Sequence, residues 1–192
     1  MKDSQGLAAT PISRTVNVVS APLTSSNIFA TKIVCDSETD LPNWGDKSGP
    51  DIASTTAIDF LSTHPNCHLQ KDWKFQWAVN AENPGDNVIG EVGSPWTTFG
   101  PTNVDGVTMT SIPATTSMVW FREVMEEGYF KFTGQNTDKN VSAEMYCNTD
   151  HLNYDNYDFI SNPEAGKTYY CVAFNVINHA PVITLVGANK HS

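Results

Sequence analysis

Positive charge is scarce in this chain. Eleven Lys and Arg residues stand against twenty-one Asp and Glu among 192 residues, a formal net charge of −10. A nucleic-acid backbone is held by a basic face that releases counterions, so a nucleic-acid partner is excluded. An anionic membrane surface is disfavoured for the same reason. Long apolar runs are missing too. No stretch approaches the roughly twenty residues of a spanning helix, which argues against membrane insertion. The opening Met-Lys-Asp-Ser-Gln-Gly has no apolar core of a signal peptide, so a secretion signal is expected to have been removed or never to have been there. The sequence also lacks a Gly-x-Ser-x-Gly elbow, a phosphate-binding glycine loop and a His-Glu-x-x-His pair, so nothing in it points to an enzyme. His64 and His68 straddle Pro65 and Cys67, which makes them loop residues and not a helical metal pair.

What is present favours β structure. Hydrophobic residues make up 40% of the chain, enough for a core, while charged residues reach only 17% and Gly and Pro are plentiful, the composition of a turn-rich β protein. One short helix is expected in Asp51–Thr63, where Ile52, Ala57, Ile58 and Leu61 lie near one face and His64-Pro65 stops it. Strands are expected at 30–35, at 73–77 where Trp73, Phe75 and Trp77 alternate with polar residues, and at 96–99, 106–112, 118–125, 129–132, 142–146 and 168–177. Turn residues such as Asp105-Gly106 and Glu127-Gly128 separate them. Strands this closely spaced indicate an all-β fold, an antiparallel Ig-like or prealbumin-like sandwich, with an inserted loop region carrying the short helix. The expected organisation is an N-terminal arm at 1–28 with a strand at 15–21, a sandwich at 29–179 with an insertion at about 36–95, and a C-terminal tail at 180–192 with a strand at 182–186.

The four cysteines, Cys35, Cys67, Cys147 and Cys171, contain no Cys-x-x-Cys pair of the kind used by zinc and redox sites. Sequential pairing, Cys35-Cys67 and Cys147-Cys171, closes two moderate loops, each worth roughly 3–4 kcal/mol in the loop-entropy model. Such bridges belong outside the reducing cytosol. The alternative is four buried free thiols, which a thiol count of the native protein would reveal.

Thr102-Asn-Val-Asp-Gly-Val-Thr-Met-Thr-Ser-Ile-Pro113, followed by Met118-Val-Trp-Phe-Arg-Glu-Val-Met-Glu-Glu-Gly-Tyr129, resembles the Cna B-type, or SpaA-like, domains of bacterial surface proteins and pilins. Those domains open on a strand bearing a Lys, here Lys32 in Ala-Thr-Lys-Ile-Val. They close on a strand ending in Asn, here Val172-Ala-Phe-Asn-Val-Ile-Asn178. The resemblance implies a spontaneous intramolecular isopeptide bond between Lys and Asn, assisted by a Glu, here Glu123. Burial would lower the pKa of the Lys to free its nucleophile and raise that of the Glu so that it shuttles protons. Strand parity places Glu123 with Val119, Phe121 and Met125 towards a core, and Lys32 with Val34. Ile33 and Cys35 then point to a second face, one the insertion would cover through Cys67. For the acceptor, Asn178 shares the more apolar parity of Val172, Phe174 and Val176, with Asn175 as the alternative.

Other candidates are weaker in chemistry. Asn148, Asp150, Asn153, Asp155, Asn156 and Asp158 form an oxygen-rich stretch, with Asp150, Asp155 and Asp158 as candidate calcium ligands, although the spacing is not that of an EF-hand. Among the five tryptophans, Trp44, in a polar loop, is the candidate ligand-binding ring. The expected function is an extracellular or cell-surface structural or adhesive module, a stalk, pilus or filament subunit, self-associating through its terminal strands. The alternatives are a surface module that binds a glycan or a host protein, and a virion or phage structural protein.

Overall fold

The computed structural model describes residues 5–6, 24–42, 57–80, 82, 89–129, 143–147 and 156–178. The expected terminal strands at 15–21 and 182–186 lie outside them. Among the described residues, nine strands run β1 (Ser25–Cys35), β2 (Cys67–Leu69), β3 (Phe75–Val79), β4 (Thr97–Phe99), β5 (Val107–Pro113), β6 (Met118–Glu123), β7 (Ala143–Cys147), β8 (Tyr157–Ser161) and β9 (Thr168–Val176), with one α-helix, α1 (Ala57–Thr63), and a 3-10 turn at Glu38–Asp40. They form two sheets, confirming an all-β sandwich. One has the order β2-β1-β9-β7 with β5 also paired to β1, and the other has the order β4-β3-β6-β8.

Two features of the expected architecture are corrected. The sheets are not wholly antiparallel: β1 and β9 pair in parallel from Asn27↔Thr168 to Cys35↔Val176. Parallel neighbours cannot be joined by a tight turn, and here everything between residues 35 and 168 serves as the connection. The stretch expected as an insertion is also more than an appendage. It supplies β3, which sits between β4 and β6, because Trp73 and Phe75 point into the space between the sheets and are almost fully buried there. The strand expected at 30–35 begins earlier, at Ser25, inside the span assigned to the arm.

The core has two parts. Between the sheets pack Ile28, Ala30, Trp73, Phe75, Val119, Phe121, Met125, Met145 and Ala173. On the outer face of the first sheet, Ile33, Cys35, Tyr146, Val172, Phe174 and Val176 pack beneath Leu41, Ala57 and Phe60, so the segment after β1, α1 included, covers the second face of that strand. This accounts for why β1 and β9 carry apolar residues at both parities, as strands buried on both faces do.

Lys32 stands where β1 changes partner. Before it, β1 pairs with β5 up to Thr31↔Val107; after it, β1 pairs with β2 from Ile33↔Leu69. The gap is bridged by backbone bonds from Lys32 N–H to the Gly106 carbonyl and from Gln70 N–H to the Lys32 carbonyl. Gly106 adopts φ +67, and a Cβ there would lie 2.9 Å from Leu69 Cβ and 3.0 Å from the Lys32 carbonyl oxygen. Only glycine fits without displacing Lys32.

Candidate functional site: a buried lysine, glutamate and asparagine

Three polar side chains converge in the inter-sheet core. Lys32 comes from β1, Glu123 from the end of β6 in the opposite sheet, and Asn175 from β9, and none of the three has measurable exposure. The parallel register sets Lys32 beside Ala173 and Val34 beside Asn175. Lys32 and Asn175 are therefore diagonal neighbours on one face. Lys32 Nζ lies 2.6 Å from Glu123 Oε1 and contacts Asn175 Oδ1. It also donates to the Ala173 carbonyl at 3.4 Å and sits 4.5 Å from the centroid of the Trp73 ring. The other end of the carboxamide donates to Met125 Sδ at 3.4 Å.

Burial dominates the electrostatics. It brings the Lys32 amine down to about 8, against the opposing pull of Glu123, which favours the charged form. It pushes the Glu123 carboxyl up, opposed by Lys32 and by the Asn175 carboxamide. Removing two charges from water costs more than an ordinary ion pair returns, so the pair is poised to pass the proton from Lys32 to Glu123 and become neutral. A neutral amine is a nucleophile, and a protonated carboxyl can donate to a carbonyl oxygen. Both groups face a carboxamide in a site sealed from solvent.

The acceptor expectation is corrected. Asn178 lies beyond the end of β9, exposed, with its N–H on the Gly128 carbonyl, whereas Asn175 is the carboxamide at Lys32. The parity of Val172, Phe174 and Val176 is apolar because it faces the layer containing α1; the face shared by Cys171, Ala173 and Asn175 looks into the sandwich. With both faces buried, apolarity alone picks the wrong one.

The remaining sequence-derived residues fall as follows. Disulfides join Cys35 to Cys67 and Cys147 to Cys171, each across a directly opposed antiparallel pair, β1 to β2 and β7 to β9. Asp158 is fully buried, and its carboxylate accepts N–H bonds from Cys147 at 2.6 Å and Phe159 at 2.7 Å, fastening β8 to β7 at the sandwich edge. Asp150 and Asp155, the other two candidate calcium ligands, and Trp44 lie outside the described residues. Trp73 belongs to the core. Trp120 lies against Tyr157 and Phe159, and Trp96 stacks on the Arg122 guanidinium.

Sequence reasoning missed the supports of the site. Thr102 is buried; its hydroxyl accepts from the Trp73 backbone N–H at 3.0 Å and donates to the Gln70 carbonyl at 2.7 Å, holding the main chain from which the Trp73 ring reaches Lys32 Nζ. Asn103 Oδ1 accepts from the N–H groups of Asp105 and Val107, an Asx turn that delivers Gly106 to Lys32. The signal was present in Thr102-Asn-Val-Asp-Gly106, where Asp-Gly marked a turn; what that turn touches is a tertiary fact.

No protein-family model and no curated protein matches the chain. Among solved structures, it is similar to the solution structure of the Streptococcus pneumoniae RrgB pilus backbone D1 domain, with 11% sequence identity over 92% of this chain and 100% of that one, at a TM-score of 0.35.

Proposed function

We propose that this chain is a structural module of the extracellular space or cell surface, a stalk, pilus or filament unit, whose sandwich is locked by an isopeptide bond between Lys32 and Asn175. One observation carries the reading: an amine, a carboxyl and a carboxamide in mutual contact, wholly buried, on the first and last described strands. A buried lysine without chemistry to do is an expensive residue, and a fully apolar replacement would pack there at lower cost. The two disulfides support an oxidising compartment.

The reaction needs no cofactor to balance. Lys32 Nζ gives a proton to Glu123 and attacks Asn175 Cγ, forming the new C–N bond. Glu123 hydrogen-bonds the Oδ1 that gathers charge. The bonded Lys32 nitrogen then gives its second proton through Glu123 to Nδ2, the Cγ–Nδ2 bond breaks and ammonia leaves, with Glu123 left protonated. The product is a neutral amide linking β1 to β9, which removes the burial penalty on both charges.

Intact mass of the reduced, denatured full chain tests this. The expected result is the sequence mass less one ammonia, with the full sequence mass restored in E123Q and N175A. A wild-type mass equal to that of the sequence overturns the proposal.

A further inference from the structure

We propose that Met125 is a positioning residue for this crosslink: its thioether accepts an N–H of the Asn175 carboxamide, and so turns the carbonyl end of that group towards Lys32. The inference rests on the reading above and adds to it a residue that selects the reactive orientation of the acceptor.

A carboxamide is nearly symmetric in shape and can sit in two orientations related by a half-turn. Its two ends differ only in hydrogen bonding, since oxygen accepts and nitrogen donates. In the chemistry described above, Oδ1 must face the amine, and Nδ2, the departing group, must lie on the side away from the amine while keeping within reach of the Glu123 carboxyl that protonates it. Apolar walls do not distinguish the two ends. Lys32 Nζ, which can only donate, marks the oxygen end, and Met125 marks the nitrogen end: it is 1% exposed, its Sδ lies 3.4 Å from Nδ2, and sulfur in a thioether accepts but never donates. The reverse orientation would set the Oδ1 lone pairs against those of sulfur, with no donor for either, and would turn the nitrogen towards the nucleophile.

Met125 is itself firmly placed. It follows Glu123 at the same parity, two residues on, so the proton carrier and the sulfur enter the site side by side. Its carbonyl accepts from Gly90 N–H, and it bridges to Ile89 beyond the end of β6. Leucine would fill the volume almost as well and would lack the acceptor. Methionine at this position therefore has a role that packing alone does not require.

The test is the rate of bond formation in full-length chain made by cell-free synthesis under oxidising conditions, sampled over time and read by intact mass and by mobility on reducing gels. M125L is expected to lose ammonia roughly three- to tenfold more slowly than wild type, the rate equivalent of one modest buried hydrogen bond. M125Q, which restores an acceptor oxygen, is expected to recover part of that loss. Urea midpoints of N175A and N175A/M125L, neither able to crosslink and neither with a carboxamide for the sulfur to hold, separate positioning from packing: they are expected to coincide, which a merely structural methionine would not allow. If M125L crosslinks at the wild-type rate, or if the two midpoints differ enough to account for the slower rate, the role of Met125 is overturned while the crosslink stands. A wild-type chain that loses no ammonia overturns both. Should M125L fail to fold, M125Q and selenomethionine-labelled wild type decide the matter, the first expected slower than wild type and the second equal to it; a wild-type rate in M125Q removes the role of sulfur.

Discussion

At the scale of the residue, the unusual fact is a lysine buried without measurable exposure. Burial brings its amine down from the 10.5 of an unburied lysine to about 8 in the folded chain, so between those values the unfolded chain binds more protons than the folded one. Stability therefore rises with pH across that window: the penalty for burying the charge is fully present below about 8 and is relieved towards 10.5. The bond would hide this in wild type, but N175A keeps Lys32 and has no acceptor. Compared with N175A/K32M, it is expected to be the less stable in urea at pH 7.5, with the gap closing as pH rises to 9.5; the full effect is bounded at about 3 kcal/mol. A gap that widens with pH would mean that Lys32 is stabilised as a cation and is not poised to react. Glu123 carries the complementary shift, upward through burial. Both perturbations have one cause, which is why neither group can be understood singly.

At the scale of the element, the site depends on strand register. The Gly106 turn holds the Lys32 backbone at the point where β1 exchanges β5 for β2. In G106A the added methyl meets the Lys32 carbonyl while the backbone is forced into a left-handed conformation. The variant is expected to lose at least about 1–2 kcal/mol of stability in urea unfolding and to crosslink incompletely by mass. Much of this level was legible in the sequence. The parity of Val119, Phe121 and Glu123 gave the buried carboxyl, and the strands at 118–125 and 168–177 appeared close to their observed bounds because their apolar residues are long and regular. The short strand β2 and strand β8 were not foreseen. Three residues carry no periodicity, and Tyr157–Ser161 follows an Asx-rich stretch that reads as turn. The sequence offers Asn175 only as an alternative, because deciding between two apolar faces of β9 requires knowing what covers each. Phe60 lies more than a hundred residues away from Phe174, whose ring it meets edge to face, and no local pattern reports that. With the Lys32 to Asn175 bond in place, every neighbouring pair along β2-β1-β9-β7 would carry one covalent rung.

At the scale of the whole molecule, the proposed bond encloses nearly the whole described fold. Lys32 and Asn175 are 143 residues apart, and both disulfides fall within or at the edge of that span. Held by its ends in a single-molecule experiment under reducing conditions, N175A is expected to release about 500 Å of contour length on unfolding, from 143 residues at roughly 3.3–3.6 Å each. Wild type is expected to release none of it. An equal release in the two proteins would show that no covalent link spans the fold. The parallel pairing of β1 and β9 bears on the same experiment even before any bond forms. Because the two strands run in the same direction, the leading end of β1 and the trailing end of β9 lie at opposite poles of the sheet. Tension along the chain would draw the two strands past one another lengthwise, loading their hydrogen bonds together in shear; an antiparallel pair would open like a zipper, one bond at a time. The topology thus converts end-to-end tension into the loading direction that a β-sheet resists best.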